Sequence, residues 1–538
     1  MTTGTNDAGD RPLTAADILA AAGITSPPAI DITCAPHAII NLINAINDGA
    51  IPDVYVRNGA LVHLTRITGD TTGTTPLAAL DITPDTLALL LARHTRTYKK
   101  RGDHEVPATP STTVLRAVLA ATEWPGARPL RGVVTAPVIR PDGRILQEPG
   151  YDPDTWLYYA PTLPIPPVPD FPDTVDVANA KNVIFGQVLA DFPWADDASR
   201  ANFLALLATP LLRPYINSLA PLGAISATAP GSGKTLLTDI IGSLYGLSSR
   251  PWVNSDEELR KAVTALLRTS NSPVVVFDNV DEFDQVDQPS LAKLLTSEVW
   301  HDRELGTSNQ VGLPNDRLWL VTGNNIRLGG DIPSRTILVR LDPRMPHPDR
   351  RTNFRIPDLG RWLKNPENRG ELLYHLLILA RAWIAAGAPT IATPMRNFRD
   401  WASVMAGFTT YHGVPGFMNN RAELDVHDEQ TVTWRAFLAT WYRRHGARPL
   451  TAAELLADAR VSWDGDDPWH GTFLTNKHGD RPTVRGLGMM LSGKRGRFFG
   501  EYSLHRTVDG DTNTGLYYVT YHSPDELAQL QQEQGATQ

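Results

Sequence analysis

The chain has 538 residues, 42% hydrophobic and 20% charged. That is an ordinary globular composition, and the chain is too long for one core, so three or more domains are expected. A formal net charge of -8 excludes a uniformly basic coat for nucleic acid but leaves room for a local basic patch. The single cysteine, Cys34, excludes an internal disulfide and a cysteine-based zinc site, and is expected as a small buried apolar side chain.

Residues 1–27 are rich in Thr, Asp and Gly, with one short helix predicted from Ala15 to Ala22. They contain no apolar h-region, and no apolar run in the chain approaches a membrane span, so no signal peptide, no membrane partner and a cytoplasmic location are expected. Residues 28–160 read as an accessory α+β domain of undefined role. Val54 to Leu64 is predicted as a hairpin turning at Asn58-Gly59, Pro84 to Arg96 as an amphipathic helix, and Val133 to Leu146 as a second hairpin turning at Asp142-Gly143. Residues 161–178 open with six prolines from Pro161 to Pro172 and are expected to form an extended, semi-rigid linker. Residues 179–218 follow as a helical segment, helix from Asn179 to Leu212.

From 219 to 345 apolar strands alternate with helices, the pattern of a parallel α/β core. Its first unit is a strand (Leu222 to Ala227), a Gly-rich turn, and a helix (Leu236 to Tyr245), the Walker A order. The stretch Thr228-Ala229-Pro230-Gly231-Ser232-Gly233-Lys234-Thr235-Leu236 would wrap a phosphate chain, the glycines letting backbone N–H groups approach and the helix N-terminus adding partial positive charge. Lys234 would reach the β- and γ-phosphates and Thr235 would hold Mg²⁺. Thr228 stands where the usual pattern has Gly, and the flanking strand and helix argue against a chance surface turn.

A second apolar strand, Val274 to Phe277, ends in Asp278-Asn279 and reads as Walker B, delivering Asp278 to the Mg²⁺ shell. Many such ATPases place a Glu next to polarise the attacking water; Asn279 can orient a water but cannot take its proton. Asp281 or Glu282 could serve as base, or both could be a solvated acidic turn. A third strand, Leu318 to Thr322, ends in Asn324-Asn325, and a polar side chain at that tip can sense a γ-phosphate. Parallel strands bring such tips together at one ligand. Arg335 precedes a fourth strand; it is either an arginine finger for a neighbouring subunit's nucleotide or a surface residue paired with Asp331 or Asp342.

This order of motifs resembles the superfamily 3 helicase branch of AAA+ ATPases, and more narrowly the helicase modules of phage, plasmid and integrated-element replication proteins of the primase-helicase type. The run Arg303 to Asn315, followed by Thr322-Gly-Asn-Asn325, carries much of the likeness, which is strong over residues 200–345, looser through Arg399 to Gly407 and Gly413 to Phe417, and weak before residue 130. The resemblance implies an ATP-hydrolysing ring, usually a hexamer, with nucleotide between subunits, Lys234, Thr235, Asp278 and Asn324 on one side and Arg335 on the other; Asn279 departs from the family's Glu. It also implies that His301 to Val311 faces a pore and grips single-stranded DNA, with Arg303 the main basic residue there. The chain has no primase motif, so a primase partner would be a separate protein.

Residues 346–430 are expected as a helical lid, with helices from Glu371 to Ala386 and Phe398 to Thr410. Residues 431–523 read as three helices (Thr431 to Arg444; one after the capping box Thr451/Glu454; Val484 to Ser492) and a hairpin, the winged-helix order. Lys477, Arg481, Arg485, Lys494, Arg495, Arg497 and Arg506 concentrate positive charge there against Asp480 and Glu501, which points to duplex DNA through Arg485, Lys494, Arg495 and Arg497. Residues 524–538 read as a Gln/Glu-rich tail. The expected fold is thus multidomain α/β: an AAA+ P-loop core with an α+β N-terminal domain and a C-terminal winged helix. The expected function is an ATP- and Mg²⁺-dependent DNA helicase or translocase of a mobile element, with an origin-binding initiator or loader, and a non-catalytic ATP-dependent assembly protein, as rivals.

Overall fold

The computed structural model describes residues 27–66, 77–270, 272–303, 310–426, 429–460, 467–476, 479–508, 514–527 and 529. The helix predicted at Ala15 to Ala22 and the basic residue Lys477 lie outside them.

The centre of the molecule is a five-stranded parallel sheet. A long helix, α1 (Asp197–Ile216), leads into it. The strands and helices then run β1 (Leu222–Ala227), α2 (Lys234–Tyr245), β2 (Leu247–Pro251), α3 (Asp256–Thr269), β3 (Val274–Val280), α4 (Pro289–Thr296), a hairpin of β4 (Val299–Arg303) and β5 (Gln310–Pro314), β6 (Leu318–Asn324) and β7 (Thr336–Leu341). Spatial order is β2-β3-β6-β1-β7, every pair parallel. Strands covered on both faces need continuous apolar sequence, and β1 is buried at every residue. α1 is buried from Ala201 through Leu212, so it is apolar all round rather than amphipathic. The strand order reverses beside β1, so the crevice at the carboxyl ends of β1, β6 and β3 is the topological switch point of the sheet.

Helices α5 (Pro366–Ala385) and α6 (Arg399–Tyr411) pack on α1 within the same apolar cluster. Asn202 of α1 fixes this junction, donating to the Leu338 carbonyl at 2.8 Å and accepting from the Met418 amide at 2.9 Å. Before the core, an α+β region holds the predicted hairpin (Val54–Arg57 with Ala60–Arg66), turning through Asn58 and Gly59 at φ +54° and +80°. The helix there runs Pro84–His94.

Four expectations need correction. The second N-terminal hairpin is short: Val138–Ile139 pairs with Ile145–Leu146, while Gly132–Val134 joins Leu157–Tyr159 in a different sheet. The helical run from Asn179 is broken: Thr174–Lys181 is α-helical, Asn182–Val188 forms a π-helical turn, and α1 starts only at Asp197. The proline stretch carries no helix or strand, but it is no free spacer, because Leu163 and Val168 are buried in the central cluster and the Pro164 carbonyl lies against Gly370. Cys34 is exposed, because it caps the outer end of helix Ala35–Asn47 instead of entering the core.

The C-terminal region has its own core. α7 (Glu429–His445) buries Trp434, Phe437, Leu438 and Trp441 against α8 (Ala452–Asp458), α9 (Val484–Gly493) and an antiparallel sheet of Phe498–Phe499, β8 (Tyr502–Val508) and β9 (Gly515–Tyr521). The Thr451/Glu454 capping box forms as expected. No described helix is long and apolar enough to cross a membrane.

Candidate functional site

The loop between β1 and α2 closes on itself and on its neighbours. Ser232 Oγ donates to the Ala229 carbonyl at 2.5 Å, and Thr228 Oγ1 donates to Asp342 Oδ1 at 3.1 Å at the end of β7. Thr228 thus ties the loop's first residue to the sheet, a role the usual Gly could not fill. Gly231 and Gly233 have φ of +76° and +100°, in the left-handed region that side chains disfavour. A Cβ on Gly233 would also stand 3.2 Å from the Phe192 ring. The helix begins at Lys234, two residues earlier than predicted, so its free N–H groups fall within the loop.

Three strand tips converge here. Lys234 Nζ donates to Asn324 Oδ1 at 2.5 Å, joining the P-loop to the end of β6. Burial lowers the Lys234 pKa, and the nearby Asp278 carboxylate opposes that shift. Asp278 sits where the β3–β6 register slips between Phe277 and Val280, an irregularity that re-aims side chains at a strand end. The Thr322 hydroxyl donates to the Asp278 carboxylate and accepts from the Asn279 amide at 3.1 Å. Asn279 itself is exposed, at φ +60°. Asp281 Oδ1 accepts from the Phe283 amide, so it caps its own turn, and Glu282 is exposed.

Asp239 lies one turn beyond Thr235 on α2, and its pKa is raised by burial and then by Asp278. Asp239 and Asp278 lie near enough to act on one another, and Thr235 is one turn before Asp239 on α2; oxygen ligands of this kind are what Mg²⁺ takes. Sequence reading missed Asp239 and Thr322. The spacing of Asp239 four residues after Thr235 was the available signal for the first; Thr322 is visible only once β3 and β6 are known to be neighbours.

Beside the loop opens a cavity of about 410 Å³, lined by Val188, Phe192, Gly233, Phe354, Ile356 and Leu359 among others. Its two walls are clamped together: Arg355 Nη1 donates to the Gly186 carbonyl at 2.8 Å, the Arg355 amide to Asp191 Oδ2 at 2.6 Å, and Arg351 Nη2 to the Asp191 carbonyl at 2.7 Å. One wall is the π-helical turn, a departure from regular helix that recurs at functional sites. An apolar slot continuous with a phosphate loop suits a flat aromatic base. Apart from the phosphate-loop residue Gly233, none of these residues was singled out in sequence.

Arg335 stands just before β7, at the end of that strand away from the P-loop. Its Nη1 donates to the Ala292 carbonyl and its Nη2 to Asp331 Oδ2 at 3.2 Å, so within one chain it has the Asp331 pairing of the second sequence alternative. The β4–β5 hairpin forms where expected, His301 opposite Gly312, with Arg303 exposed at the last described residue of its outgoing strand. Its root is fixed by Trp300, whose indole N–H donates to Thr264 Oγ1 at 2.9 Å, and Lys293 stands over the Trp300 ring at 4.9 Å. In the C-terminal region Arg485, Arg495 and Arg497 are exposed and Lys494 is half-buried; Arg481 is paired with Asp467 at 3.6 Å.

No protein-family model matches the sequence, and no curated protein matches it significantly. Among solved structures it is similar to the apo C-terminal region of NrS-1, at 13% identity and a TM-score of 0.35, over 78% of this chain and 93% of that one. It is also similar to SCCmec type IV Cch, described as an active helicase, at 11% identity and a TM-score of 0.33, over 88% and 98% of the two chains. The JCV helicase aligns over 47% of this chain and 70% of its own, at 13% identity and a TM-score of 0.21. These likenesses are loose.

Proposed function

We propose that the chain is an ATP- and Mg²⁺-dependent DNA helicase or translocase that works as an oligomeric ring, hexameric on the pattern its motifs resemble, in the replication of a mobile genetic element. The observation that carries the reading is the contact of Lys234 with Asn324, beside Asp278, at the switch point of an all-parallel sheet. A lysine pulled out of water, aimed across the loop at an amide, is poised for a phosphate chain. The cradle suits that ligand, since its two glycines hold the left-handed φ by which successive backbone N–H groups turn toward an anion. Thr235 and Asp278, with Asp239 behind, would hold Mg²⁺, whose charge offsets that of the phosphates. The apolar cavity beside the loop would take the adenine.

Arg335 supports ring assembly by its place. β7 is parallel to β1, so its first residues lie about 16 Å from its tip at roughly 3.3 Å per residue, out of reach of the same chain's nucleotide. A neighbour's nucleotide is what it could serve, on release from Asp331. The β4–β5 hairpin with Arg303 would meet single-stranded DNA, and the C-terminal three-helix region, read as a winged helix, would meet duplex through Arg485, Lys494, Arg495 and Arg497. A primase, if the system uses one, would be a separate partner.

One observation favours a rival: Asn279 cannot accept a proton, which suits a protein that uses ATP only to assemble. ATP hydrolysis with and without single-stranded DNA, for wild type beside Lys234→Ala and Arg335→Ala, separates the two. Turnover that DNA stimulates, and that both substitutions abolish while Arg335→Ala still binds ATP, supports the motor. Wild type that binds ATP but turns over no faster than Lys234→Ala sinks it in favour of assembly. Duplex-specific binding without strand separation would instead favour the initiator or loader.

A further inference from the structure

At the end of the central sheet opposite the P-loop, where β3 and β6 begin, lies a small cavity of about 70 Å³ between the N-terminal region and the core. Arg57 and Arg131 reach it from the N-terminal side, Arg213 from the end of α1, and Arg317 from the residue before β6. Among the described residues of the lining, Asp316 is the single carboxylate facing these guanidiniums, and Asp81 acts on Arg57 from outside it.

The core arginines are fixed in place. Arg213 donates to the Arg317 carbonyl at 3.0 Å and to the Asn315 carbonyl at 2.9 Å; Arg317 donates to the Ser270 carbonyl at 2.8 Å. Carbonyls orient guanidiniums but do not neutralise them. Asp316 approaches Arg317 to 3.1 Å, yet off hydrogen-bond geometry: Asp316 Oδ1 and Arg317 Nε are both buried without a hydrogen-bond partner. Arg317 is only 6% exposed. Burial holds the Arg213 pKa down at about 10; Asp316 opposes that shift, and Arg131 and Arg317 add to it. Buried like charges held together, with too little opposite charge, call for an anion.

We propose that this cavity binds one tetrahedral oxyanion of the phosphate class, which locks the N-terminal region against the base of the central sheet. Its volume admits a few water-sized spheres, enough for one phosphate and far below the roughly 300 Å³ at which nucleotide-sized ligand sites begin. Arginine's planar fork suits such an ion better than any other side chain. The site bears on the P-loop through β6, whose one end follows Arg317 and whose other end is Asn324, about 20 Å away at roughly 3.3 Å per residue.

The test is thermal unfolding of the full chain in phosphate-free buffer, with inorganic phosphate added at ionic strength matched by chloride. Wild type is compared with Arg131→Gln, Arg131→Met and Lys234→Ala. Phosphate at about 10 mM should raise the Tm of wild type and of Lys234→Ala alike, by about 2–5 °C, and should not raise that of either cavity variant. In phosphate-free buffer the cavity variants should unfold no lower than wild type, because each removes a repelling charge; an arginine that merely props the structure would lower Tm in both buffers. Glycerol 3-phosphate acting as phosphate does would extend the site to monoesters, and its failure would restrict it to the free ion; both fit the proposal. A rise lost in Lys234→Ala and kept in Arg131→Gln places the phosphate in the P-loop and overturns it, as does an equal rise with chloride alone.

Discussion

Thr322 shows how much of the site depends on one hydroxyl. It is 1% exposed in the middle of β6, donates to the Asp278 carboxylate and accepts from the Asn279 amide, so it sets the direction of the Walker B acid. Thr322→Val keeps the β-branched shape and removes only that hydroxyl. Positioning groups behind a metal-holding carboxylate are typically worth about 10–100-fold, so ATP turnover should fall by that much and the Mg²⁺ concentration for half-maximal rate should rise. A Mg²⁺ titration of steady-state hydrolysis reads both; an unchanged midpoint would take Asp278 out of the metal site. Phe354 tests the cavity in a different way. It lines the slot at a distance from the phosphate loop's reacting end, with Arg351 stacked over it at 5.2 Å. Phe354→Ala should raise KM for ATP by about tenfold and leave kcat within about twofold, the mark of uniform binding. At this scale legibility divides by locality. Lys234, Asp278 and Asn324 each end a contiguous strand-and-loop pattern and could be read in one dimension. Thr322 and Phe354 act across strands and loops, and no spacing rule joins residue 354 to residue 192.

At the scale of elements, the helices behind the core carry the clearest pH dependence. His412 follows α6, is 3% exposed, and its Nε2 donates to the Leu379 carbonyl of α5 at 2.9 Å. Burial pulls its pKa from 6.5 to about 4, against the hydrogen bond to Leu379. A histidine depressed in this way binds its proton more readily when unfolded. Its contribution is therefore complete above the unfolded value near 6.5 and is lost as pH falls toward 4, up to about 3 kcal/mol in all. His375 of α5, lowered by burial too, adds in the same direction. Urea unfolding followed by tryptophan fluorescence should be insensitive to pH between about 7 and 8 and markedly easier at about 4.5, and His412→Gln should flatten that slope. A variant as acid-sensitive as wild type would move the cause to other groups. The same scale shows where element prediction failed. β1, β3 and β6 were legible because a doubly covered parallel strand must be an unbroken apolar run. The proline stretch has the composition of a spacer, and only the partner surface around Gly370 makes a seat for Leu163 and Val168.

Across the whole molecule, two separate apolar clusters decide what can be removed. Leu424 belongs to the central cluster, and Glu423 pairs with Arg340 of β7 at 2.8 Å. Among the described residues, every buried apolar side chain from Trp434 onward belongs to the C-terminal cluster, which closes on its own helices and sheet. A chain ended after Val426 therefore keeps the P-loop, β6, β7 and the cavity intact, and loses Arg485, Lys494, Arg495 and Arg497 together. It should bind ATP within about threefold of wild type. If the C-terminal region is the duplex contact, duplex affinity should fall by at least tenfold near physiological salt and the salt dependence of binding should flatten, because each lost phosphate contact removes about one counterion from the slope. Fluorescence anisotropy against labelled duplex and single strand, each at several salt concentrations, reads the two surfaces apart. Loss confined to duplex assigns the two DNA forms to different parts of the chain. Equal loss on both would mean that the β4–β5 hairpin cannot hold single strand alone, and the ring reading would then need the C-terminal region as part of the grip. Unchanged duplex binding would return Arg485 and its neighbours to an ordinary solvated face, and would leave the acidic chain, at net charge -8, to hold DNA only where its subunits meet.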